Sequence, residues 1–111
     1  MRWTICELRA RYLAGELSPR EVVRMLAEKA EADRGWNVWI TPPDPERLES
    51  YLRRLESTDP AEAPLWGVPF AVKDNIDVAG MPTTAACPAF SYVPERNAVV
   101  VERLVAAGAV P

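Results

Sequence analysis

The sequence predicts an α/β chain, helical in its first half and entering a helix-covered mixed sheet in its second. Three observations carry that expectation. Apolar residues recur at helical spacing in stretches from Ile5 to Leu55. The run Leu65 to Val72 is mostly apolar on successive residues, as suits a strand buried on both faces. Finally, Val99 to Ala107 has helical character and is followed by Gly108 and more apolar residues, the order in which a parallel βαβ unit starts its second strand. The chain divides near residue 64 into a helical region with one short strand (1–64) and the start of a larger domain (65–111).

Ile5, Leu8, Tyr12 and Leu13 mark the first helix, and Gly15 supplies its stop. Ser18-Pro19-Arg20-Glu21 restarts helix: Ser18 caps, Pro19 takes the first position, and Glu21 completes a capping box. Val22, Leu26 and Ala30 form the apolar stripe of this second helix, expected to end near Arg34-Gly35. Asn37 to Thr41 is rich in β-formers between turn signals and predicts the short strand, which Pro42-Pro43-Asp44-Pro45 breaks. Leu48, Tyr51, Leu52 and Leu55, at i, i+3, i+4 and i+7, predict a third helix. Ser57 to Pro64 reads as a polar linker. Apolar residues wrap much of the Val99–Ala107 helix, which predicts a largely buried element closed by Gly108. Ala109-Val110-Pro111 breaks off inside the expected unit, so the fold is expected to be truncated.

With 111 residues, 49% apolar and 26% charged, the chain has the composition of a folded protein. A net charge of -3 argues against nucleic acid as a partner. Arg20, Arg24 and Lys29 alternate with Glu21, Glu28 and Glu31, the pattern of a solvated helix face. No apolar stretch approaches the roughly 18 residues of a membrane helix. Charge interrupts the first residues before a leader's apolar region develops. A cytoplasmic protein with no membrane partner is expected, its Cys6 and Cys87 free thiols without metal spacing. Histidine is absent from the 111 residues, so Ser-His, Cys-His and His-metal chemistry cannot be assembled within them.

The segment Gly67-Val68-Pro69-Phe70-Ala71-Val72-Lys73-Asp74-Asn75-Ile76-Asp77-Val78-Ala79-Gly80, followed by Pro82-Thr83-Thr84, resembles the first signature block of the amidase-signature family. Ala85-Ala86-Cys87-Pro88-Ala89-Phe90-Ser91-Tyr92 looks more specifically like the allophanate hydrolase branch. The resemblance is strong from about Leu65 onward and weaker before it. It implies an amidase-signature fold, a mixed sheet covered by helices, of which residues 65–111 begin the catalytic domain. It implies hydrolysis of a linear amide through an acyl-enzyme, with allophanate giving ammonia and carbon dioxide, and with no cofactor or metal. Lys73 matches the family's catalytic lysine. The family's glycine- and serine-rich stretch lies well downstream and has no match here, so Ser18, Ser50, Ser57 and Ser91 receive no role.

In a Ser–Ser–Lys arrangement the lysine must be neutral to accept a proton through the bridging serine. A free lysine has a pKa of about 10.4, and working near pH 7 takes a shift of roughly 3 units from desolvation and oriented hydrogen bonds. Without that cover Lys73 is expected to face water and the isolated chain to be inactive. Blander readings stand beside this one. Lys73 could be an ordinary exposed strand end. Asp74, Asn75 and Asp77 could resemble metal ligands but read as hydrogen-bonding their own turn. Cys87 reads as a small buried residue rather than a nucleophile, and Trp36, Trp39 and Trp66 as packing residues. A different class of function also remains: a non-catalytic interaction module, or a split-enzyme subunit docking a separately encoded remainder. A homodimer through the helical first half stays open.

Overall fold

Reciprocal caps begin the first two helices. In the computed structural model, which describes residues 2–111, α1 spans Ile5–Leu13. The Glu7 amide donates to the Thr4 hydroxyl at 3.2 Å, and Thr4 N donates to the Glu7 carboxylate at 2.7 Å. Helix α2 spans Pro19–Ala32 and uses the same device on Ser18 and Glu21, with Pro19 in its first turn. It stops short of the expected Arg34-Gly35. Arg34–Trp36 tighten into a 3-10 turn instead, and Asn37, at φ 53°, redirects the chain.

Residues 37–41 do not form the expected strand. β-forming side chains favour extended backbone, but a strand exists only where a neighbour pairs its N–H and C=O groups. Among the described residues 38–41 have no such partner, and Val38, Trp39 and Ile40 are exposed. Trp36 and Trp39, expected as packing residues, are 80% and 41% exposed for the same reason: nothing packs over this segment.

Helix α3 spans Glu49–Glu56. Its Leu52 and Leu55 meet Leu48, Val23 of α2 and Val110 in one buried cluster, so residues from both halves share a core. Charge fastens α2 to α3 from outside. Arg20 contacts Glu49 and Glu56 at 2.7 Å each, and Arg53 reaches Glu49 at 2.9 Å. The basic side of α2 is thus partly paired across to α3. Hydrogen bonds from Arg20 and then Arg53 hold the Glu49 carboxyl at about 2, against an ordinary 4.5. A carboxyl depressed in the folded state contributes stability above its unfolded pKa and loses it as pH falls through the folded value. Acid unfolding should therefore steepen between about pH 4.5 and 2. Glu49→Gln should flatten that limb in a circular-dichroism titration, and an unchanged limb would refute the fastening role.

Leu65 to Phe70 is zipped to the last residues, 107–110. Leu65 N donates to Ala107 O, Gly67 N to Gly108 O and Phe70 N to Val110 O, while Val110 N donates back to Val68 O, all at 2.9 Å. The last two bonds make a parallel bridge centred on Pro69 and Val110. Among the described residues, sheet pairing is confined to this bridge and an antiparallel one between Thr83 and Tyr92. The run expected as a strand over Val68–Val72 is extended but mostly without a ladder. Helix α4 spans Val99–Ala106. Its Val101 and Val105 are buried with Val78, whereas Val99 and Val100 are 66% and 54% exposed. The expected largely buried helix is therefore buried on one side only. Tyr51 and residues between Phe70 and Met81 cover that side, and nothing among the described residues covers the other.

Trp66 joins the pieces. It packs against the α2–α3 cluster and against a second cluster of Leu8, Tyr12 and Val22. Its ring meets Tyr12 edge-on, with centroids 5.5 Å apart. Its indole N–H donates to the carbonyls of Leu55 at 3.1 Å and Thr58 at 3.0 Å. Among the described residues no helix is long and apolar enough to cross a membrane.

Candidate functional site

Lys73 ends an extended run that is anchored from its first residue. The Tyr12 hydroxyl donates to the Gly67 carbonyl at 2.8 Å. Gly67 itself has φ 73°, and a Cβ there would lie 2.8 Å from both Pro19 Cγ and the Tyr12 ring. The end of α1 and the start of α2 thus close directly onto the start of the run. Further along, the Pro69–Val110 bridge holds it from the other side. Phe70 and Val72 then pack against the Val78, Val101 and Val105 cluster, while Ala71 and Lys73 are exposed. This is the two-residue alternation of an extended chain with one covered face, where the sequence predicts burial on both.

The run borders a cleft of about 670 Å³ that residues 38–44 also line. Val38, Ile40, Phe70, Val72 and Ile76 contribute apolar lining, and Lys73, Asp74, Asp44 and Arg47 contribute the charges. Among the described residues Lys73 forms no ion pair. A primary amine at the edge of an apolar cleft can take up or release a proton once it is enclosed.

Three carboxylate–hydroxyl contacts follow the lysine. The Asp74 carboxylate accepts from the Thr84 hydroxyl and from the Thr84 amide, the latter at 3.2 Å. The Asp74 carbonyl accepts from Ala85 N at 2.9 Å. The Asp77 carboxylate accepts from the Thr83 hydroxyl at 2.9 Å and from the Tyr92 hydroxyl at 2.5 Å. That bond to an anion, with some desolvation, pushes the Tyr92 phenol above its ordinary value. Asp77 O also accepts from Ala98 N at 2.9 Å, and Asn97 receives the Ala79 amide at 2.7 Å. The acids thus bond to a distant loop and not to their own turn as expected. Among the described residues no group of three or more His, Cys, Asp or Glu is placed to hold a metal ion.

Cys87, expected to be buried, is exposed. It precedes the short 3-10 turn Pro88–Phe90 on the outside of this loop, where Phe90 and Tyr92 pack edge-on, 5.7 Å apart, without covering it. Sequence reasoning missed four residues that shape the site: Tyr12, Thr83, Thr84 and Tyr92. The two threonines enter the sequence argument only as part of the Pro82-Thr83-Thr84 motif. Tyr12 enters only as a helix-face residue.

Residues 21–111 match the family model described as Amidase. Over 75 residues the chain is 52% identical to a urea amidolyase of Saccharomyces cerevisiae, covering 67% of this chain and 4% of that protein. It is 38% identical over 109 residues to a glutamyl-tRNA(Gln) amidotransferase component of Akkermansia muciniphila, covering 97% of this chain and 22% of that one. The solved structure of Kluyveromyces lactis allophanate hydrolase superimposes with a TM-score of 0.79 at 37% identity, over 97% of this chain and 18% of that one. The chain therefore spans less than a quarter of each of these relatives.

Proposed function

The chain belongs to the amidase family, and from that premise we propose that it supplies the lysine-bearing part of a hydrolase that cleaves a C–N bond in a linear amide. The observation that carries this reading is the placement of Lys73. It ends a run pinned at Gly67 and at Pro69–Val110 and lies on the edge of the apolar cleft. In the proposed Ser–Ser–Lys mechanism its amine accepts the nucleophilic serine's proton through a bridging serine, and backbone amides receive the developing oxyanion. Likeness to urea amidolyase and allophanate hydrolase supports allophanate as the substrate, with ammonia and carbon dioxide as products. The amine must be stripped of water before it can serve as a base, which is equivalent to about 4–5 kcal/mol. Lys73 is exposed, so that enclosure must come from polypeptide beyond these 111 residues. We take the chain alone to be inactive. In this reading the same enclosure would complete the mixed sheet, since residues 38–41 and 70–73 line one cleft.

A chimera tests this reading. The chain replaces the matching segment of a urea amidolyase, and ammonia release from allophanate is followed. The chimera should turn over, its Lys73→Ala form should not, and the chain alone should release nothing. Turnover by the unaided chain, or by the Lys73→Ala chimera, overturns the proposal. The exposure of Val38, Ile40, Val99 and Val100 favours a second reading, a module whose apolar surfaces dock a separate remainder or a second copy. A chimera that folds but stays silent would select it.

A further inference from the structure

We propose that Asp74 and Thr84 are positioning residues for Lys73: the clasp between them sets the backbone from which the amine projects. The inference rests on the reading of Lys73 as the proton acceptor. Among the described residues the lysine side chain has no ion pair to direct it, so its direction must come from its backbone. That backbone is anchored on both sides. Upstream, Phe70 N is bonded to Val110 O at 2.9 Å. Downstream, Asp74 is held three times over: by the Thr84 hydroxyl, by the Thr84 amide and, through its carbonyl, by Ala85 N. Only Ala71, Val72 and Lys73 lie between the anchors, and the Lys73 carbonyl is itself taken by Ile76 N at 2.9 Å.

The loop that delivers Thr84 is held in an unfavourable shape. Ala85 and Ala86 adopt φ 49° and 60°, a region that costs an L-residue free energy and persists only where the surroundings enforce it. Thr84 does the enforcing. Its hydroxyl accepts from Ala86 N at 3.1 Å while donating to Asp74, and its carbonyl accepts from Cys87 N at 2.8 Å. A serine can make the same hydroxyl contacts, and a valine of the same shape cannot.

A lysine-specific endoprotease measures the clasp directly. The chain contains two lysines, Lys29 and Lys73, and Thr84→Val leaves the Lys73–Asp74 bond chemically unchanged. Cleavage there tracks local opening, so losing the hydroxyl should speed it roughly tenfold or more. Thr84→Ser should stay within about twofold of the parent, and cleavage at Lys29 inside α2 should not change. Equal acceleration at Lys29, no acceleration at Lys73, or failure of serine to rescue overturns the proposal. Should Thr84→Val not fold, Asp74→Ala, which removes the acceptor, carries the test through amide exchange. Thr84 and Ala85 should lose protection while α2 keeps it, and unchanged protection overturns the clasp. Neither readout needs turnover, so the clasp can fail while the hydrolase reading stands, and the reverse. In an active chimera Thr84→Val should lower kcat roughly tenfold with KM held and Thr84→Ser should restore it. A change confined to KM counts against a positioning role.

Discussion

Trp66→Ala should destabilise the chain by about 3–5 kcal/mol, the range for removing a large aromatic side chain from a packed site. The indole is the shared wall of two clusters. One joins α2, α3 and Val110, and the other joins α1 and α2. Its loss strips packing from Tyr12, whose hydroxyl anchors Gly67. It also removes the indole donor from the carbonyls of Leu55 and Thr58, of which Leu55 O keeps Thr58 N. Trp66→Phe separates these effects. It keeps an aromatic ring but loses the N–H and part of the ring volume, so a smaller cost of about 1–3 kcal/mol is expected. Urea unfolding followed by circular dichroism gives both values, and a cost under about 1 kcal/mol for the alanine variant would show that Trp66 does not hold the halves together.

Gly108→Ala is the second large effect, at about 2–4 kcal/mol. The residue has φ 95°, and a Cβ there would sit 2.9 Å from Trp66 Cα and 3.0 Å from Trp66 N and Ala63 Cβ. Two of those three atoms are backbone, so relief requires the 63–66 segment to move. That movement would pull on the bond from Gly67 N to Gly108 O. Gly80 is the natural control. It too has positive φ, at 77°, but an added Cβ meets nothing within 4 Å. Gly80→Ala should therefore show only the conformational cost, about 1 kcal/mol. Equal effects at the two glycines, measured by thermal melts, would remove the steric argument.

The helices are legible in the sequence because what makes them is local. Ser18, Pro19 and Glu21 specify the start of α2 within four residues, and Leu48, Leu52 and Leu55 specify the buried side of α3. Pairing and burial are less legible because they depend on partners far along the chain. The segment 37–41 has β-forming composition but no neighbour, so it is not a strand. Val99 and Val100 are as apolar as Val101, yet only Val101 has something against it. Trp36 and Cys87 mislead in the same way, since residue type alone does not supply a packing surface. At the site, Lys73 can be picked out through its motif. The Asp74–Thr84 and Asp77–Tyr92 contacts cannot, because they link residues 10 and 15 positions apart with no periodic pattern between them.

The anchors of the lysine run also set an order in time. Tyr12 reaches Gly67 across 55 positions, and Arg9 reaches the Ala63 carbonyl across 54. Closing loops of that length carries an entropic cost that the turns of α1 and α2, built from neighbours, do not meet. Those helices can therefore form early, while the run bearing Lys73 reaches its place only when segments far apart in the chain have come together. During synthesis the amine-bearing segment lacks its bridge at Pro69 until Val110 has left the ribosome.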